Sequence, residues 1–101
     1  LAEKKVQQLN VKIPDKLEPV YSNLIRISHS DDEFTLTFLH KVPDTNMAQG
    51  RAIVAITPQH AKRLLRALGA NVQKYESTFG EIKLLEDAGQ TRREDNNVEV
   101  A

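Results

Sequence analysis

The chain contains no cysteine, which excludes disulfides and thiolate chemistry and weighs against the small secreted scaffolds that depend on disulfide staples. It carries no net charge, 14 basic residues balancing 14 acidic ones, so no global field draws it to nucleic acid, anionic lipid or an acidic substrate. No apolar run approaches the roughly 18 residues that a membrane span needs. Gly50, Gly69, Gly80 and Gly89 stand singly, so there is no glycine-rich loop to cradle a phosphate. Aromatics are few, two tyrosines and three phenylalanines, which leaves little for stacking on bases.

What is present is 101 residues, 40% of them apolar and 28% charged, enough for one small domain. The first residue is Leu1 rather than Met, as expected of a trimmed or processed start, and Leu1-Ala2-Glu3-Lys4-Lys5 has no signal-peptide apolar core. A cytoplasmic location is expected. Residues 1–8 read as a flexible N-terminal tail and 9–85 as the single folded domain. Residues 86–101 hold a run of charged and amide side chains with little to bury, and read as a flexible polar C-terminal tail.

The clearest local signal is a helix. Thr57 is an N-cap, Pro58 suits the first helical position and Gly80 follows the last periodic residue. Between them Ala61, Leu65, Leu68, Val72, Tyr75 and Phe79 recur at steps of 4-3-4-3-4, a seam built to pack against another surface. Leu64 lies off that seam. Gly69 costs about 1 kcal/mol relative to alanine inside a helix; two readings stand for it, simple tolerance of that cost or close approach of another backbone.

Strands precede it. Val20–His29 and Phe34–His40 alternate apolar and polar residues around a polar turn, Ser30-Asp31-Asp32-Glu33. With Asp31 and Asp32 at the tip, His29 faces Phe34, Ile27 faces Leu36 and Ile25 faces Phe38, which puts both apolar sets on one side. A one-residue slip would separate them. A polar loop from Asp44 to Gly50 leads to a third strand, Arg51–Ile56, which runs directly into the helix. Leu9–Ile13 and Glu81–Leu85 are candidates for further short strands. The fold class predicted is α+β: an antiparallel β-meander of three to five strands with one long helix packed across one face, against Ile25, Ile27, Phe34, Leu36 and Phe38. One helix covers one face; Val20, Leu24 and Leu39 on the other face, with Leu64 on the helix, leave apolar surface that self-association would bury.

No residue set converges on catalysis. His29 and His40 lie at opposite ends of the hairpin, about 18 Å apart at 3.3 Å per residue, too far to share an ion. His60 has no histidine or carboxylate at ligand spacing. His29-Ser30-Asp31 holds the residue types of a triad, but adjacent residues cannot form one. Asp31, Asp32 and Glu33 lack the spacing and glycine of a calcium loop. No catalytic, cofactor-binding or metal residue is assigned, and no cofactor or enzyme activity is expected. The candidate polar contact surface is the helix start, Lys62, Arg63 and Arg66 with His60 beside them. The candidate oligomer or core seam is Leu64, Leu65, Leu68, Val72, Tyr75 and Phe79.

Several spaced motifs then fall into a familiar order. Val20-Tyr21-Ser22-Asn23, Ile27-Ser28-His29-Ser30 with Glu33-Phe34, Thr57-Pro58 with His60-Ala61-Lys62-Arg63-Leu64-Leu65, Ala67-Leu68, Asn71, Tyr75-Glu76 and Phe79-Gly80-Glu81-Ile82 resemble a family of small bacterial and archaeal proteins catalogued as a domain of unknown function. The resemblance covers about residues 18 to 85. It implies a small cytoplasmic protein and brings no catalytic residue with it. On architecture alone, strands followed by a helix are similar to an export chaperone subunit that assembles as an oligomer. The function expected is a non-enzymatic homo-oligomer, dimer or higher, acting as a binding or adaptor module toward another protein. Nucleic-acid binding through the basic helix start is the second reading and a holdase for unfolded chains the third; no membrane partner is expected.

Overall fold

The computed structural model describes residues 8–85, 92–95 and 98–101. Three consecutive strands, β1 (Leu24–His29), β2 (Phe34–Lys41) and β3 (Ala48–Ile56), precede a helix α1 (Pro58–Phe79) and two short strands, β4 (Arg92–Asp95) and β5 (Val98–Val100). They form one antiparallel sheet in the order β3-β2-β1-β5-β4. The class is α+β, with an open sheet and one helix.

The β1–β2 register is the one the apolar alternation predicts: His29 pairs with Phe34, Ile27 with Leu36 and Ile25 with Phe38. Ser30 closes the turn, its N–H donating to the Glu33 carbonyl at 2.9 Å and its hydroxyl to Asp32 Oδ1 at 2.8 Å. Directly paired residues share a face, so β3 adds Ala52, Val54 and Ile56 to the apolar set through Phe38, Leu36 and Phe34. The opposite face carries Leu24, Thr35, Thr37 and Leu39, joined by Ile53, Ala55, Val98 and Val100.

Several boundaries differ from expectation. The first strand begins at Leu24, not Val20; before it one backbone bond continues, from the Asn23 N–H to the Leu39 carbonyl at 3.1 Å, and side chains add further bonds. Ser22 Oγ donates to the carbonyls of Leu24 and Leu39 at 3.0 and 2.9 Å. Asn23 clamps Lys41, donating to its carbonyl at 3.1 Å and accepting its N–H at 2.7 Å. The third strand starts earlier, at Ala48. The register shifts so that Leu39 meets Gly50 and Phe38 meets Ala52, leaving Arg51 as the extra residue of a bulge. The loop is thereby shortened to a turn in which Asp44 takes a left-handed conformation (φ 63°) and Thr45 Oγ1 both donates to Val42 and accepts from Met47.

Leu9–Ile13 and Glu81–Leu85 are not strands; Leu9, Val11 and Ile13 are exposed and pair with nothing that would complete a ladder. The C-terminal segment, read from its charge as a tail, supplies a strand instead. Val98 and Val100 pair with Ser28 and Arg26, and Ala101 exchanges two 2.8 Å backbone hydrogen bonds with Ile25. Residues 86–91 and 96–97 of that predicted tail, and 1–7 of the N-terminal one, lie outside the described residues.

The helix has the limits predicted for it. Thr57 Oγ1 accepts the His60 N–H at 3.1 Å. Gly80 (φ 100°) ends the helix, donating its N–H to the Glu76 carbonyl at 2.8 Å. The helix packs against the sheet, as predicted, and the extent of that packing is what differs. The helix meets the sheet at its first turn, where Pro58 and Ala61 are half-buried, but no helix residue is buried. Leu65 and Phe79 are 71% and 74% exposed. The seam therefore does not bury itself on the Ile25–Phe38 face. Only Thr57 separates β3 from α1, and it has the extended conformation usual for an N-cap (φ −73°, ψ 158°).

Candidate functional site

Two surfaces of α1 were singled out by sequence, and the helix holds them apart. At about 100° per residue, Lys62, Arg66 and Arg63 fall on one broad side, turned away from the seam centred on Ala61, Leu68, Val72 and Phe79. His60 lies on the opposite flank from Lys62, so the four do not form one compact cluster. All four are exposed. Among the described residues no hydrogen bond, ion pair or ring contact engages the side chain of Lys62, Arg63 or Arg66.

Their position is electrostatically unusual. A helix N-terminus carries partial positive charge and favours acids, and its C-terminus favours bases, by about 0.3–1 kcal/mol per well-placed group. Here the first turn has no acidic residue and the last turn no basic one. Lys62 and Arg63 lie in the second turn and Arg66 opens the third, and Glu76 sits near the end with Oε2 accepting the Ile82 N–H at 2.9 Å. Neither end therefore carries a charge that favours the helix dipole, and the cations stand beyond the first turn, within which that effect falls off.

The seam is apolar over its whole length. Tyr75 and Phe79, one turn apart, hold their rings 5.0 Å apart at a 43° tilt. Leu64, Leu65, Leu68, Val72, Tyr75 and Phe79 are all exposed in the single chain.

The remaining histidines serve ring contacts. His29 stacks on Phe34 at 5.3 Å, and His40 meets Tyr21 edge-on at 5.6 Å. The Tyr21–His40 contact was not read from the sequence, where Tyr21 was placed within a strand; their pairing across the hairpin's open end was the available signal. Among the described residues no group of three or more His, Cys, Asp or Glu side chains could hold a metal ion, and no helix is long and apolar enough to cross a membrane. An open hollow at the β2–β3 turn is lined by Val42, Thr45, Met47, Ala48 and Gln49. It presents no charged or titratable side chain to a reaction.

A family model described as "Protein of unknown function (DUF3467)" matches residues 2–84. The chain belongs to that family, and the match extends the resemblance carried by residues 18–85 toward the N-terminus. No curated protein matches the chain, and no solved structure matches it.

Proposed function

We propose that this member of the DUF3467 family is a non-enzymatic homo-oligomeric binding or adaptor module of the cytoplasm, where a cysteine-free chain needs no oxidising environment. The observation that carries the reading is the lack of a closed core. Among the described residues no hydrophobic side chain is buried, while the seam of α1 from Leu65 to Phe79 and Ile53, Val54 and Ile82 are exposed.

A standard protein interface takes roughly 800 Å² from each partner, and the exposed apolar residues of α1 from Leu64 to Phe79, with Ile53 and Val54, are available to supply it. A second copy of the same chain offers the same uncovered apolar surface, which an isologous contact uses on both sides.

Sedimentation velocity of the full chain at micromolar concentration tests this, with a dimer or larger species expected. A pure monomer across the range would refute it.

A second reading is favoured by one observation, the exposed cation side of α1. Lys62, Arg63 and Arg66 without internal acidic partners suit phosphate contacts on RNA or DNA. This reading expects salt-dependent binding weakened by Lys62→Ala and Arg66→Ala; absence of binding at low salt removes it.

A further inference from the structure

The 4-3-4-3-4 spacing of the α1 seam is itself symmetric, so what distinguishes one pairing from another is which residues fill it. Its six positions are palindromic about residue 70: Ala61 and Phe79 are equidistant from it, as are Leu65 and Tyr75, and Leu68 and Val72. Turn one copy of the helix end for end against another, and each layer joins one member of a pair to the other. The smallest residue, Ala61, meets the partner's Phe79. Leu65 meets the partner's Tyr75, and Leu68 meets the partner's Val72. Small faces large and medium faces medium, the alternation that fills a helix interface without voids. Parallel pairing would put Phe79 on the partner's Phe79 and Ala61 on the partner's Ala61, overfilling one end and emptying the other.

Charge selects the same arrangement. In heptad terms Ala61, Leu68 and Tyr75 are d positions, and Leu65, Val72 and Phe79 are a positions. One flank then carries Lys62, Gly69 and Glu76 at the three e positions. Antiparallel helices set e against e, so Lys62 lies beside the partner's Glu76, twice by symmetry, with Gly69 opposite the partner's Gly69 at the crossing. The Glu76 oxygen that accepts the Ile82 N–H leaves the other carboxylate oxygen for this pair. The partner's helix also brings its C-terminal, partially negative end toward the Lys62 flank. In parallel pairing the two cation clusters would lie side by side.

Gly69 fits the centre. A Cβ built there meets nothing within 4 Å in the single chain, so no intrachain crowding requires glycine. A side chain of zero size at the crossing lets the two backbones approach.

We infer that two copies of this chain pair through α1 as an antiparallel helix pair, with Lys62 of each copy against the partner's Glu76 and the two-fold axis passing near Gly69 and Ala70. The inference rests on the homo-oligomer reading above and specifies its interface.

Because the chain has no native cysteine, a single introduced thiol reports position cleanly. Gly69→Cys and Ala61→Cys variants of the full chain are treated with a short bis-maleimide, and sedimentation of each is recorded in parallel. Gly69→Cys is expected to cross-link into a covalent dimer. Ala61→Cys is expected not to, since 18 residues at 1.5 Å separate the two copies of Ala61 by about 27 Å along the helices. Charge reversal gives an independent arm. Lys62→Glu and Glu76→Lys each set like charges together at both ends of that flank, and each is expected to weaken self-association about tenfold. Mixing the two restores opposite charges and is expected to give heterodimers over either homodimer. Cross-linking through Ala61→Cys, or a dimer in which neither thiol cross-links, overturns the antiparallel pair while leaving the oligomer standing. Heterodimers no more abundant than random mixing also overturn it. A monomer in every sample overturns both.

Discussion

Replacing Leu65 with alanine distinguishes a helix that works alone from one that is covered. In the single chain Leu65 is 71% exposed, so truncation there removes little buried surface, and substitutions at such sites fall within about 0.5 kcal/mol of wild type. If a partner covers the seam, the same truncation leaves a cavity in an interface, at about 2–5 kcal/mol for a fully buried leucine. Taking the low end, because an interface relaxes more readily than a core, each copy loses about 2 kcal/mol and a dimer about 4. The assay is thermal unfolding at 1 and 100 µM. For a dimer that unfolds to separated chains, a hundredfold dilution changes the free energy by about 2.7 kcal/mol. At about 2–4 °C per kcal/mol for a unit of roughly 200 residues, wild type should lose about 5–10 °C on dilution. Leu65→Ala should melt at least about 8 °C lower at the same concentration. Leu9→Ala, at a site 84% exposed and far from the seam in sequence, serves as the control and should stay near wild type. A melting temperature independent of concentration, or a Leu65→Ala variant indistinguishable from the control, would refute the reasoning.

Three further predictions concern the sheet and the helix end. Asn23→Ala removes both hydrogen bonds to the Lys41 backbone and should destabilise the chain by about 1–2 kcal/mol in denaturant unfolding; no change in midpoint would mean the clamp contributes nothing. Gly80→Ala places a side chain at φ 100°, ψ 167° and should cost about 1–3 kcal/mol. That cost is backbone strain alone, because the space around the site is open, so Gly80→Asn should not be worse than Gly80→Ala. Deleting Val98–Ala101 strips β1 of its second neighbour and should speed amide exchange at Ile25, whose N–H donates to the Ala101 carbonyl; unchanged protection there would argue against that pairing.

What could be read in advance divides by how local its cause is. The helix limits were legible because Thr57, Pro58 and Gly80 act within one or two residues of themselves. The hairpin register was legible because Ile25, Ile27, Phe34, Leu36 and Phe38 agree on only one alignment. The start of β1 was not, since Tyr21 and Val20 continue the alternation and nothing in their spacing shows that Ser22 and Asn23 will bond to the backbone through their side chains. Strand β5 has just two apolar residues, Val98 and Val100, within a charged stretch, and its reason to form lies far away in the unfilled edge of β1. The seam of α1 was legible as a seam, but not what covers it: its spacing does not tell how far along the helix the chain's own sheet reaches. Of the candidate polar surface, Lys62, Arg63 and Arg66 share a side as expected, while His60 falls on the other flank.

The bulge at Arg51 has a bearing on how this sheet ends. Strand β3 is the outer strand on its side, nine residues long with a single charge and no proline, and an edge of that kind invites further strands to add without limit. Because Arg51 is skipped in the pairing, the free edge is broken into Ala48–Gly50 and Ala52–Ile56. Each piece is shorter than the six or so residues that stacked, fibre-forming segments use, and the lone charge stands at the break. A chain that leaves so much apolar surface open on its helix thus has, in one inserted residue, a stop against runaway growth through its sheet.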